Sequence, residues 1–334
     1  MLFTESLLKN LAGSTHAFFD FNQDALDGRD CLVVAAANWL ATGQDMAWLA
    51  DRLELTTLPI FIVGLGAQST LDGKIPKLPP GTQRLVRLIS ERSVNISVRG
   101  HFSAEVLDHY GVHNVVVTGC PSLLLAGKRG FSIATPDALP DSSVCLHGTR
   151  HRFHKTDAFQ NYIYAQGFTR RIDMVLQSEL ADTLYVLGRT NNAESVRQAA
   201  EPLVASYGTD NIDQIARYLK THGKIFFELE PWLDYLRTKS FCVGTRIHGT
   251  VAALLSGTPG MLIAHDSRTR ELAETMSIPF VLSTAIDTDR PIDFDALYDP
   301  AAMRSFETAY PAYLHRFKEF FAGNGLEVTP DIQG

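Results

Sequence analysis

The chain has 334 residues, 45% of them apolar and 20% charged, with a formal net charge of −7. That length suits two domains of roughly 150 residues each rather than a single core. The acidic balance excludes a general nucleic-acid binder, because there is no cationic surplus to neutralise phosphates.

In chain order, CLVVAAA (31–37) reads as a strand and DMAWLADRLEL (45–55) as a helix by its apolar spacing. PIFIVGLGAQ (59–68) is a strand running into a Gly-rich turn, TQRLVRLISER (82–92) a helix, and NISVRG (95–100) a strand. FSAEVLDHYG (102–111) is a helix closed by Gly111, and NVVVTGCPSL (114–123) a further strand. Such alternation predicts βαβ units and parallel sheets with helices on both faces. The stretch 127–143, rich in Gly, Pro and Asp, reads as a linker.

The alternation then restarts: SVCLHGT, TLYVLGR, KIFFELE, SFCVGT and PGMLIAHD as strands, and NIDQIARYLKTHG, PWLDYLRTK, TVAALLSG and SRTRELAETMS as helices. Residues 298–323 read as one or two terminal helices. The expected fold is α/β, two Rossmann-like domains facing a central cleft. An N-terminal domain would span 1–135 and a C-terminal domain 140–296, with residues 297–334 packing back across both.

Neither MLFTESLLKNLAGS nor any apolar run has the make-up of a signal peptide or a bilayer span, so the expected location is the cytoplasm. Cys31, Cys120, Cys145 and Cys242 form no CxxC pair and read as free thiols in a reducing compartment.

In open parallel sheets, ligands bind beyond the carboxyl ends of the strands. The predicted strands end at Gly64, Gly66 and Gln68; at Arg99; at His147, Thr149 and Arg150; at Arg189 and Asn191; at Glu228 and Glu230; at Arg246 and His248; and at His265, Asp266 and Arg268. Arginines recur along this edge of an acidic protein, which points to a concentrated anion site. The stretch GTRIHGTVAALLSGTP (244–259) is its centre. The first turn of a helix carries unpaired amides and partial positive charge. Gly249 admits a ligand close to the backbone, Arg246 adds a planar cationic fork, and His248 can exchange a proton near neutral pH. Blander roles stand beside these: an ion pair for Arg246, a cap or core contact for His248, and a helix N-cap for Asp266. His147, His151 and His154 are spaced for a metal, but no carboxylate stands in register with them and no metal is expected.

The stretch FCVGTRIHGTVAALLSGTPGMLIAHDSRTRELAETMSIP resembles the polysaccharide pyruvyl transferase family, in which an Arg–aliphatic–His–(Gly/Ala) motif follows a strand and opens a helix. NISVRGHFSAEVLDHYGVHNVVVTGCPSLLL and VGLGAQS resemble two further blocks of that family. The resemblance implies a GT-B-like fold and transfer of pyruvate from phosphoenolpyruvate to two sugar hydroxyls, forming a ketal in exopolysaccharide biosynthesis. It implies Arg246, Ile247 (through its backbone) and His248 as the donor-binding motif, with Arg99 as the arginine of the second block; Gly249, from its close backbone approach, and Arg150, from its place past a strand, are added to the donor-binding residues. No cofactor is implied. The acceptor would be a sugar or a lipid-linked oligosaccharide, with peripheral membrane association through it. The family's Gly/Asn/Asp-rich turn is absent from the first 30 residues, where AGSTHAFFDFNQDALDG stands instead.

Ketal formation needs a proton for the methylene carbon and a base for the attacking hydroxyl. His248 is the candidate acid, and Asp266 and Glu228 are candidates for the base. Two other readings use the same features: a glycosyltransferase binding a nucleotide sugar at the cationic edge, and a catalytically silent member that binds glycan or a partner.

Overall fold

In the computed structural model, which describes residues 2–15, 26–68 and 74–332, the short β-branched runs pair only in parallel. The first half supplies α1 (Leu2–Asn10), β1 (Leu32–Ala35), α2 (Ala47–Leu53), β2 (Ile60–Val63), α3 (Pro80–Arg92), β3 (Ile96–Val98), α4 (His101–His109) and β4 (Val115–Val117). The second half supplies β5 (Val144–His147), α5 (Ala158–Arg170), β6 (Asp173–Leu176), α6 (Leu180–Val186), α7 (Ala193–Tyr207), α8 (Ile212–His222), β7 (Gly223–Ile225), α9 (Leu229–Arg237), β8 (Phe241–Gly244), α10 (Ile247–Ser256), β9 (Gly260–Ala264), α11 (Ser267–Met276), β10 (Phe280–Leu282), α12 (Phe294–Leu297) and α13 (Pro300–Gly323). Residues 16–25, within the segment where the family's first turn was sought, and Ser69 of VGLGAQS lie outside the described residues.

The chain divides into two α/β units that are not simple halves of the sequence. The first comprises Leu2–Gly130, Asp266–Ile278 and Thr308–Gly334. Its strands β1 and β2 pair from Leu32 opposite Ile60 to Ala35 opposite Val63, and β3 pairs with β4. A bridge between Leu65 and Val98 joins the two pairs. Every residue of β2 is buried, the pattern of a strand covered on both faces. Leu49, Leu53, Leu85, Ile89, Val106 and Leu107 cover it from α2, α3 and α4.

The second unit comprises Phe131–His265 and Pro279–Glu307. Its six parallel strands run in the order β10-β9-β8-β5-β6-β7. The chain therefore leaves β5 in one direction through β6 and β7, then returns to lay β8, β9 and β10 on the other side. The reversal falls between β5 and β8, and in sheets of this kind the crevice at such a switch point is the usual ligand position.

Two predicted strands are corrected. TLYVLGR is α6, not a strand: Ala181, Asp182 and Tyr185 are the residues it buries, on one helical face. Arg189 and Asn191 therefore follow a helix, not a strand, and both are exposed. KIFFELE is strand only through Ile225. Its apolar character serves aromatic packing instead, with Phe226 stacked 6.3 Å from Trp232 and 5.3 Å from Tyr235, both on α9. The predicted second domain ran unbroken from 140 to 296, whereas 266–278 groups with the first unit. The terminal segment forms the single helix α13.

Candidate functional site

The site grows from the ends of β5 and β8, which lie side by side with His147 opposite Gly244. His147 is fully buried, its ring lodged where side chains on Gly244 and Gly249 would otherwise stand. A Cβ on Gly249 would come within 2.6 Å of the His147 ring, so glycine there is a steric requirement. His147 Nδ1 accepts the backbone N–H of Arg246 at 3.1 Å. Its Nε2 lies 3.5 Å from Thr250 Oγ1. Burial, then the neighbouring Arg246 charge, pulls its pKa down to about 3, so the ring is neutral and its lone pair holds the turn. Beside it, Gln160 Oε1 accepts from Thr149 N at 2.9 Å and Thr245 Oγ1 at 2.7 Å, tying both strand ends to α5.

Helix α10 starts at this turn with Arg246 as its N-cap, and that side chain makes no cap hydrogen bond. Helices α5, α7, α8 and α12 of the same unit are each capped by an Asp or Asn side chain. Like α6 and α9, this ten-residue helix begins without such a cap, but it alone of the three starts at the switch point, and Gly249 N closes its first turn on Arg246 O at 3.0 Å.

The Arg246 guanidinium turns the other way, across the end of β5. Nε donates to Gly148 O at 3.2 Å, and Nη2 to Arg150 O at 3.2 Å, to Ser178 Oγ and to Glu179 Oε1 at 3.3 Å. Nη1 has no partner among the described residues, and the side chain is 18% exposed. Two faces of the fork are thus committed and the third is presented. The ion pair weighed from sequence for Arg246 is present, with Glu179 as its partner.

Glu179, which the sequence reading passed over, is what fixes this. Its carboxylate is 1% exposed and accepts from Gln177 N at 2.6 Å, Ser178 N at 2.8 Å, Tyr164 Oη at 3.1 Å and Arg246 Nη2. It sits just past β6, a strand that also went unread. A ligand-independent clamp of this kind holds a guanidinium in one rotamer before any substrate arrives.

Of the other expected site residues, Ile247 and Gly249 are buried and His248 is half-buried, all in the first turn of α10. Arg150 is corrected. Its guanidinium is buried away from the strand ends, paired with Asp182, donating to Pro202 O and Ser206 Oγ at 3.0 Å each, and lying 4.8 Å over the Tyr164 ring. Only its backbone joins the site: the carbonyl accepts from Arg246 Nη2 and Ser178 Oγ, and the N–H donates to Glu179 Oε1 at 3.4 Å. Glu228 is exposed at the start of α9, past the edge strand β7, with β6 and β5 between that strand and β8. It is not brought to the Arg246 turn.

Arg99 and Asp266 belong to the other unit. Arg99 donates to Gly64 O at 2.8 Å, Asn38 Oδ1 at 2.9 Å and Ala36 O at 3.2 Å, so it closes the carboxyl ends of β1 and β2 on itself. Burial lowers its pKa. Asp266 caps α11: it accepts from Thr269 N at 2.7 Å while Thr269 Oγ1 accepts from Asp266 N at 3.3 Å. That reciprocal pair is the N-cap role weighed from sequence.

His147, His151 and His154 do not converge, since the first is buried and the others exposed. Among the described residues no disulfide joins the cysteines, and no helix is long and apolar enough to cross a membrane.

The family described as polysaccharide pyruvyl transferase matches residues 7–267. Solved structures with a similar chain path include a putative UDP-N-acetylglucosamine 2-epimerase from Listeria monocytogenes, at 14% identity over 90% of this chain and 73% of that one with a TM-score of 0.45. They also include S. aureus MnaA in a UDP co-structure, at 13% identity over 89% and 78% with a TM-score of 0.44. A third is the glycotransferase of kitacinnamycin, at 12% identity over 90% and 76% with a TM-score of 0.42. No curated protein matches the sequence.

Proposed function

The chain belongs to the polysaccharide pyruvyl transferase family, and from that premise we propose that it moves pyruvate from phosphoenolpyruvate to two hydroxyls of a sugar in a polysaccharide or its precursor, closing a cyclic ketal. The observation that carries this reading is Arg246, held by Glu179 at the uncapped start of α10. Phosphoenolpyruvate brings a carboxylate and a phosphate on one small enol. A helix N-terminus and an arginine edge side by side match two anionic groups on one small molecule.

In this reading Arg246 Nη1 and the start of α10 at Ile247 receive the anionic groups, with Gly249 leaving room for their approach, and His248 delivers the proton to the methylene carbon. The resulting positive character at the central carbon is met by a sugar hydroxyl, and phosphate departs toward the cationic edge. Neither Arg150 nor Glu228 has a direct role. The reaction is proposed as cytoplasmic, a compartment in which unbridged thiols persist.

Calorimetry tests the donor site. Arg246→Ala is expected to weaken phosphoenolpyruvate binding by at least ~1.5 kcal/mol, as for a lost charge-assisted hydrogen bond. Unchanged affinity would remove the assignment. A parallel thermal-shift series with phosphoenolpyruvate, nucleotide sugars and phosphate separates this reading from a glycosyltransferase and from a silent binding protein.

A further inference from the structure

Just past β5, Gly148 and Arg150 are buried while Thr149, between them, is half-buried. The carbonyls on either side of Thr149 hold the Arg246 guanidinium, Gly148 O on Nε and Arg150 O on Nη2, so this residue lies along the arginine. Its hydroxyl meets Thr245, the residue before the start of α10, with the two Oγ1 atoms 3.0 Å apart. Thr245 is fully buried, and Gln160, which both threonines contact, is 1% exposed.

One backbone donor fixes the direction of every hydrogen in this group. The Thr149 N–H donates to the Gln160 amide at 2.9 Å, so the atom that faces it is Oε1. Turned over, the amide would set Nε2 against that donor; as it stands, Nε2 has no partner among the described residues. Thr245 Oγ1 lies 2.7 Å from Gln160 Oε1, an atom that can only accept, so the single hydroxyl hydrogen of Thr245 is spent there. The contact between the two threonines must then be donated by Thr149. With its hydrogen committed, Thr149 Oγ1 has only lone pairs left to offer. An acceptor-only oxygen beside a guanidinium disfavours an anion that has lost every proton and favours one that keeps a proton to donate.

We propose that Thr149 Oγ1 accepts the remaining proton of a hydrogen phosphate ion held at the Arg246 edge, which makes the site selective for that product over tetrahedral anions with no proton. This rests on the pyruvyl-transfer reading above and deepens it. Hydrogen phosphate and sulfate share a shape and a double negative charge in mildly alkaline solution, and only the first has a hydrogen to give. Phosphoenolpyruvate is a phosphate monoester, a class whose second proton leaves at about pH 6. Above that pH the substrate gains nothing from Thr149, whereas the released phosphate does. The Glu179 carboxylate does not duplicate this acceptor, because Arg246, Tyr164 and the N–H groups of Gln177 and Ser178 already occupy it.

Calorimetry on the full chain at about pH 8, with sodium phosphate, sodium sulfate and phosphoenolpyruvate as separate ligands, tests this. Wild type is expected to bind phosphate at least ~10-fold more tightly than sulfate, the size of one hydrogen bond to a charged group. Thr149→Val, which keeps the shape and removes the hydroxyl, should bring the two anions within about twofold of each other, and so should the smaller Thr149→Ala. Thr149→Ser should keep the preference. Thr149→Val should bind phosphoenolpyruvate within about threefold of wild type, which a merely structural role for Thr149 would not allow. Thr245→Val removes the oxygen that takes the Thr149 hydrogen, so that hydrogen turns to the anion and the preference should pass to sulfate. Equal binding of phosphate and sulfate by wild type overturns the proposal, as does a preference for phosphate that survives Thr149→Val or Thr245→Val, or a parallel loss of all three ligands in Thr149→Val. Each of those results leaves the pyruvyl-transfer reading standing. Wild type that binds neither phosphate nor phosphoenolpyruvate overturns that reading and this proposal with it.

Discussion

His147 shows how one side chain can serve a site without facing a ligand. In the unfolded chain it would titrate near its ordinary value of 6.5, whereas in the folded protein burial and Arg246 keep it neutral down to about 3. Below the unfolded value, the unfolded chain binds a proton that the native state refuses. Stability is therefore complete above pH 6.5 and falls as pH drops toward 3, by up to ~1.4 kcal/mol per pH unit. Denaturant unfolding at several pH values is expected to show His147→Gln with a shallower decline than wild type by that one proton. His248, in the next turn, has the opposite duty in the proposed reaction. His248→Ala is expected to lower kcat by about 10²–10⁴ while changing KM for phosphoenolpyruvate little, and His248→Gln should not recover the rate. If the glutamine did recover it, with KM as the altered parameter, His248 would be a phosphate ligand rather than an acid. The Arg246–Gly249 turn was legible in the sequence because its signals are local: an arginine, an imidazole and a glycine at the start of an apolar helix. Glu179 was not. Nothing adjacent marks it, and its importance comes from β6 lying beside β5, a fact of tertiary pairing.

At the scale of elements, the first turn of α10 depends on the face it shares with the end of β5. Gly249→Ala places a methyl group within 2.6 Å of the His147 ring, and both neighbours are buried. The expected cost is about 1–3 kcal/mol, as for overpacking, accompanied by weaker phosphoenolpyruvate binding because the turn itself must move. Chemical denaturation and calorimetry on the same variant read both, and an unchanged midpoint would mean that the turn yields without strain. The misread elements fail for an equally physical reason. TLYVLGR carries β-branched and aromatic residues, yet it is a helix because Asp182 must reach the buried Arg150 and Tyr207, a partner set that local propensity cannot register. In KIFFELE, one of the two aromatic residues that suggest a strand, Phe226, packs on the aromatic rings of α9, and the other, Phe227, is exposed. The clean strands β2, β8 and β9, buried along their full length, were readable from their unbroken apolar runs.

At the scale of the whole molecule, the alternation of short strands and helices announced two α/β units, but not which segments belong to each. The reason is that α11 and the end of α13 are amphipathic helices like any other until their packing is seen. In the first unit, Tyr310 Oη donates to Leu123 O at 3.2 Å and Tyr313 Oη to Cys120 O, while Phe317, Phe320 and Phe321 are buried. Glu271 of α11 accepts from Ser103 N at 3.0 Å, and a Cβ on Gly100 would stand where its side chain lies. A fragment ending at Gly130 is therefore expected to lack a cooperative thermal transition, whereas the same fragment mixed with a peptide spanning 308–332 should gain helical signal. A sharp transition in the fragment alone would show that the aromatic residues of α13 are dispensable.

The same three-segment composition gives the protein an order of completion that runs against the direction of translation. Domains that fold as they leave the ribosome ordinarily do so from the N-terminus onward. Here the unit that contains residues 2–130 waits for residues 308–334, while the unit from Phe131 to Glu307 has all its sequence first. At ordinary elongation rates those 27 residues take about 1–5 s. During that interval a nascent chain carries the unit of the Arg246 turn in full and the other unit with part of its aromatic core still unsynthesised. A ribosome stalled, or a message cut, within the last helix would release a protein whose Arg246 turn is intact and whose other unit is not.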